Sequence, residues 1–120
     1  MMAQTRQISG RPWAPRADIF ETGAAVIIQL DLPGVNAAEI DVQCEKGMLS
    51  ITGARPFHGD VPERRYERVE NMYGAFERYF EIPSTLDVAN VEAKYLDGVL
   101  TLSFPKKEAS RPQKINVSFS

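Results

Sequence analysis

A two-residue rhythm constrains this chain more than any other feature. Apolar side chains recur at alternate positions in short runs: Val26, Ile28, Leu30 and Leu32; Ile40, Val42 and Cys44; Leu49 and Ile51; Phe76, Phe80 and Ile82 with Arg78 in phase; Val91, Ala93 and Tyr95; Leu100, Leu102 and Phe104. Successive side chains of a strand point to opposite faces, so each run offers one face to a core and the other to water. No stretch sustains a helical period. Lys46-Gly47 and Asp97-Gly98 separate paired runs as tight hairpin turns, while Gly23, Pro33-Gly34 and Pro83 end others. Asp18 to Thr22 reads as a short leading strand. Asn36-Ala37-Ala38-Glu39 has the spacing of a capping box with Asn at the cap, which predicts one helical turn. Seven to nine short strands with these separators predict an all-β fold, an antiparallel immunoglobulin-like sandwich that buries one face of each sheet against the other.

Other function classes find no residues to carry them. The net charge is −2 and the pI about 5.4, and Lys and Arg form no stripe of the kind that tracks phosphates, so no nucleic acid is expected as a partner. The run from Glu63 to Arg68 carries both signs and reads as a solvated strand face. Cys44 is the one cysteine, which rules out a disulfide within the chain, and its place in an alternating run makes it a half-buried small hydrophobe. His58 is the one histidine and falls in a Gly/Pro-rich stretch, so His and Cys cannot assemble a zinc site within the chain. No Gly-x-Ser-x-Gly elbow or glycine-rich phosphate loop appears. No catalytic, metal-binding or cofactor-binding residue is therefore assigned, and none of these activities is expected. The first ten residues lack the apolar core of a signal peptide, and no apolar run nears the ~20 residues that cross a bilayer. The expectation is a cytoplasmic protein with no membrane partner.

Three segments lie outside the strand pattern. Residues 1–16 form an arm broken by Gly10, Pro12 and Pro15, with Trp13 as its large apolar anchor. An excursion over about 54–72 carries Pro56, Gly59 and Pro62, which forbid a continuous central strand, although Arg64 to Val69 can be extended. Beyond Lys106 a polar stretch leads to Ile115 and Val117, whose side chains share one side of an extended segment. Such a tail is either a peptide that docks into a groove or sheet edge, or a last strand of its own sandwich.

Four segments, in this order and spacing, resemble the small heat-shock protein (α-crystallin domain) family. They are Trp13 and Pro15 followed by Asp18-Ile19-Phe20-Glu21; Asp31-Leu32-Pro33-Gly34-Val35; Tyr73 to Pro83, which fits Gly-x-Phe-x-Arg-x-Phe-x-aliphatic-Pro; and Ala93 to Leu100, which fits Ala-x-x-x-x-Gly-Val-Leu, with Pro105-Lys106 after it. The Ile-x-Val tail fits as well.

The resemblance implies an ATP-independent chaperone, not an enzyme, that holds partly unfolded clients and keeps them from aggregating. It implies a domain over 17–106 between the arm and a C-terminal extension over 107–120. Its dimerisation loop, about 54–72, carries a strand exchanged onto the first strand of a second copy. The dimer interface it implies comprises Asp18, Phe20, Arg65, Tyr66, Arg68, Val69 and Arg78, the last with a carboxylate partner. Ile115 and Val117 become an anchor for a groove lined by Ile40, Val42 and Cys44 on one side and Val91, Ala93 and Tyr95 on the other. The implied partners are the protein itself, as dimer and larger homo-oligomer, and unfolded clients. Family members usually carry a longer apolar arm, so the short one here implies a smaller assembly or weaker client capture. A co-chaperone adaptor of the CS type shares the sandwich and stands as the alternative.

Overall fold

The computed structural model describes residues 11–59, 61–112 and 115–118. Among them the chain forms seven strands: β1 (Ala17–Glu21), β2 (Ala25–Asp31), β3 (Asp41–Glu45), β4 (Met48–Arg55), β5 (Gly74–Glu81), β6 (Glu92–Leu96) and β7 (Val99–Pro105). Single 3-10 turns occupy Ala37–Glu39, Val88–Asn90 and Glu108–Ser110. The pairings between these strands are antiparallel, and the strands divide into a four-stranded sheet ordered β1-β2-β7-β6 and a three-stranded sheet ordered β3-β4-β5. The all-β sandwich expected from the alternation is thus the observed fold.

Each turn forms where its residues permit it. Lys46 and Gly47 take φ of 51° and 76°, and Asp97 and Gly98 take 54° and 77°. Two successive positive values match the right-handed twist of the flanking strands, which a turn of ordinary hand would splay apart. At the predicted capping box, Asn36 accepts a hydrogen bond on its side-chain oxygen from the Ala38 amide at 3.0 Å.

The inward positions close a dry core. Leu30, Leu32, Ile51, Leu102 and Phe104 are wholly buried, with Ile28, Leu49, Phe76 and Leu100 nearly so, and the buried core contains no charged side chain. At ~1.5–3 kcal/mol for each large apolar side chain removed from water, these residues are the main favourable contribution to folding. A glycine in β4 serves the packing. A Cβ on Gly53 would stand 2.6 Å from both the Glu39 carbonyl and the Phe76 ring, so the ring lies flush on the strand only because the side chain is absent.

The segment before β1 belongs to this packing. The Trp13 amide donates to the Ala75 carbonyl at 3.1 Å and the Glu77 amide donates to the Trp13 carbonyl at 3.0 Å, a short parallel bridge on the free edge of β5. Its indole nitrogen donates to the Gly74 carbonyl at 3.1 Å, and its ring meets Phe76 at 5.5 Å between centroids. Pro15 is fully buried beside it.

Candidate functional site

Two places on the sandwich leave binding capacity unused. The first is β1. It pairs with β2 on one side only, and four of its five residues are exposed. Ile19 and Phe20 are therefore 54% and 47% exposed, although they occupy a regular strand. An edge strand presents a row of backbone donors and acceptors ready for another strand. Asp18 and Phe20 share its outward face, opposite Gln29 and Ile27 of β2. Lys106 fixes the end of β1, its ammonium 2.6 Å from the Glu21 carboxylate.

Among its described residues, the excursion named as the partner of such an edge takes no strand between β4 and β5. Phe57 packs at 5.1 Å on Tyr66 and at 4.9 Å on Tyr73, centroid to centroid. Arg65 is exposed and Val69 half-buried, while Arg68 pairs with Glu70 at 3.1 Å on the surface. Arg78 stands apart from these residues. Its guanidinium donates to the Pro15 carbonyl at 2.9 Å and lies 4.8 Å from the Phe80 ring centre. Among the described residues it pairs with a carbonyl and a ring, not with a carboxylate.

Sequence reasoning missed Arg55, which organises the base of the excursion. Its guanidinium stacks 4.8 Å from the Trp13 ring and 5.8 Å from the Tyr73 ring, and it donates to the Met72 carbonyl at 2.8 Å. These partners are 42 positions earlier and 17–18 later in the chain, so no local pattern reports them.

The second place is the opposite edge. β6 ends the four-stranded sheet on the side away from β1, and β3 ends the three-stranded sheet on the side away from β5. Ile40, Val42 and Cys44 lie in or beside β3, and Val91 and Tyr95 in or beside β6, all half-buried against the core. Ala93, exposed between Val91 and Tyr95, leaves a notch in the rim. Five of the six expected groove residues are thus half-buried against the core, and Ala93 is exposed. The structure does not bring the tail to them: Ile115 and Val117 are 83% and 73% exposed, and residues 115–118 form no strand. Among the described residues the tail adds no eighth strand to the sandwich.

The Tyr95 hydroxyl closes the floor of this edge. It donates to the Val35 carbonyl at 2.9 Å and lies in hydrogen-bond contact with the Leu32 carbonyl, while the Leu32 amide donates to the Gly98 carbonyl at 2.7 Å. The Leu-Pro-Gly-Val and Gly-Val-Leu segments, far apart in sequence, are thus each other's packing partners. Among the described residues no cluster of His, Cys, Asp and Glu could hold a metal ion, and no helix is long and apolar enough to cross a membrane.

Comparison with known proteins agrees with this geometry. The family model described as Hsp20/alpha crystallin family matches residues 18–118. A small heat shock protein C4 of Rickettsia felis is 34% identical over 105 residues, which cover 88% of this chain and 64% of that protein. The chain thus spans just under two thirds of that relative. An 18 kDa antigen of Mycobacterium avium is 34% identical over 116 residues, covering 94% of this chain and 78% of the antigen. Among solved structures, a small heat-shock protein from Xylella fastidiosa superposes with a TM-score of 0.77 at 37% identity, covering 91% of this chain and all of that one. Heat shock protein 16.0 from Schizosaccharomyces pombe gives 0.74 at 28% identity, covering 89% and 98%. A match over nearly the whole sandwich, by sequence and by shape, has one reading: the chain belongs to the Hsp20/alpha crystallin family, the small heat-shock proteins.

Proposed function

We propose that this protein is an ATP-independent holdase, which binds partly unfolded proteins and keeps them from aggregating. The observation that carries this reading is β1, a regular strand with one edge unpaired among the described residues and with Ile19 and Phe20 exposed on it. Aggregating chains expose apolar side chains and unpaired strand edges, and a surface offering both covers them without chemistry. Catalysis and nucleotide are not part of the proposed activity, and the proposed compartment is the cytoplasm.

Self-association supplies and controls the surface. In this reading the Arg64 to Val69 segment of a second copy lies along β1, with Asp18, Phe20, Arg65, Tyr66, Arg68, Val69 and Arg78 in or beside the interface. Ile115 and Val117 of one copy seat in the edge rimmed by Ile40, Val42, Cys44, Val91, Ala93 and Tyr95 of another. The exposure of both tail side chains supports delivery to another copy over return to the same one. The Xylella fastidiosa relative is described as having a distinct high order structure, which favours assembly here too. Two such side chains contribute roughly 3–6 kcal/mol gross. Ordering the tail offsets much of that, so one link exchanges readily while several acting together hold an assembly.

The test is light scattering from a heat-labile enzyme, with and without this protein and with no ATP present. Suppression near stoichiometric ratios is expected. Unchanged scattering from a folded, assembled sample would overturn the holdase reading.

A further inference from the structure

A cavity of about 340 Å³ opens where the Pro33-Gly34 turn meets the base of the excursion. That size falls at the lower end of the range that holds small ligands. Its polar lining consists of side chains able to donate: Arg55, His58, Asn71 and the Tyr73 hydroxyl, with no Asp or Glu among the lining residues. A neighbouring cavity of about 370 Å³ shares Pro33, Arg55 and Asn71 with it, but Asp31 and Glu70 line that one too. The second cavity therefore carries both signs, and the first carries only positive charge.

Arg55 is held in place without being neutralised. Its guanidinium lies 4.8 Å from the Trp13 ring centre and 5.8 Å from that of Tyr73, and Nη1 donates to the Met72 carbonyl at 2.8 Å. Nε is buried with no hydrogen-bond partner, and among the described residues no carboxylate pairs with this arginine. A half-buried cation between two rings is less screened than one in open water, so it attracts an anion more strongly. The other donors are also uncommitted: the side chains of His58 and Asn71 and the Tyr73 hydroxyl make no hydrogen bond among the described residues. Pro33, Pro56 and the Tyr73 ring add an apolar wall. Phe57, between Pro56 and His58, packs on Tyr66 and Tyr73, so ring contacts fix this side of the cavity.

We infer that the cavity binds a small organic oxyanion, a phosphate or carboxylate head on a short apolar body. Arg55 supplies the charge and a forked donor; His58, Asn71 and Tyr73 donate to the remaining oxygens; Pro33 and Pro56 cover the body. The inference does not rest on the holdase reading, and none of these residues belongs to the proposed exchange interface or to the groove.

Trp13 is the one tryptophan of the chain and stacks on Arg55, so its fluorescence reports an anion at the guanidinium whatever the size of the assembly. The full chain is titrated with phenyl phosphate, benzoate and inorganic phosphate, with sodium chloride holding the ionic strength constant. A saturable change is expected with phenyl phosphate or benzoate, and the tighter of the two identifies the head. Arg55→Lys keeps the charge and loses the fork, and is expected to weaken binding about tenfold. His58→Ala, an exposed change that leaves the Arg55 stack in place, is expected to weaken it about three-fold. A response that rises linearly without saturating overturns the inference, as does a saturable one that neither substitution moves. Inorganic phosphate binding as tightly as phenyl phosphate overturns the part given to the apolar wall.

Discussion

The two ends of the sandwich treat their polar backbone and apolar side chains in opposite ways. At the corner where Leu32 to Val35 meets Tyr95 to Gly98, the chain satisfies itself. The Tyr95 hydroxyl serves two carbonyls, the Leu32 amide reaches Gly98, and a Cβ on Gly98 would stand 3.0 Å from the Pro33 backbone. At β1 a regular strand has only one sheet neighbour, with Ile19 and Phe20 in water, and at the far end of the chain Ile115 and Val117 are exposed as well. The closed corner holds stability within one chain. The open elements leave a strand edge and apolar side chains uncovered among the described residues, so folding within one chain does not depend on them.

The largest effect on the fold is expected at the closed corner. Tyr95→Phe keeps the ring and removes the hydroxyl, leaving the Leu32 and Val35 carbonyls without that donor. The expected cost is ~1–3 kcal/mol, read as a lower urea midpoint at fixed protein concentration, because assembly shifts apparent stability. Since the ring still rims the groove, assembly size should not change. An unchanged midpoint would show that the corner is held by packing alone and weaken the contrast between the two ends.

The tail should show the reverse pattern. Ile115→Gly with Val117→Gly removes side chains that are 83% and 73% exposed, so the unfolding free energy of the domain should move by less than ~0.5 kcal/mol. Large species should nonetheless be lost to dimers on sizing. If the unfolding midpoint falls while the oligomer persists, the tail belongs to its own domain and the assignment of open and closed elements is reversed.

The sequence discloses what local rules govern. Alternation names the inward residues of β2, β4 and β7, and Lys46-Gly47 and Asp97-Gly98 mark their hairpins because a two-residue turn of this hand has few acceptable sequences. Alternation does not say which strand goes to which sheet, so the place of β1 at the end of the four-stranded sheet is not legible from it. Long-range pairs fare the same way. Nothing near Arg55 announces that it stacks on Trp13 and Tyr73, and nothing near Trp13 announces a parallel bridge to Phe76. The groove and the anchor came from resemblance to a family, and the structure adds that five of the six groove residues are half-buried against the core while Ile115 and Val117 are exposed.

The smallest effect concerns the acidic outer face, which belongs to neither end. Tyr79 donates its hydroxyl to the Glu77 carboxylate at 3.2 Å, and the negative charge of Glu77, reinforced by this hydrogen bond, raises the phenol above its ordinary 10.0. The sign follows from the neutral form being the favoured partner: the contact is made fully below the ordinary phenol range and is lost as pH rises through the elevated value. Ultraviolet titration of the single-tyrosine change Tyr79→Phe against the parent isolates this group. Glu77→Gln should then lower its midpoint toward the ordinary value, because the carboxylate that opposed ionisation is gone while a side-chain carbonyl remains. Tyr79 is solvent-exposed, so salt should lower the midpoint in the same direction and leave the Glu77→Gln variant nearly unmoved. A midpoint indifferent to both changes would mean that Glu77 turns away from Tyr79 in solution.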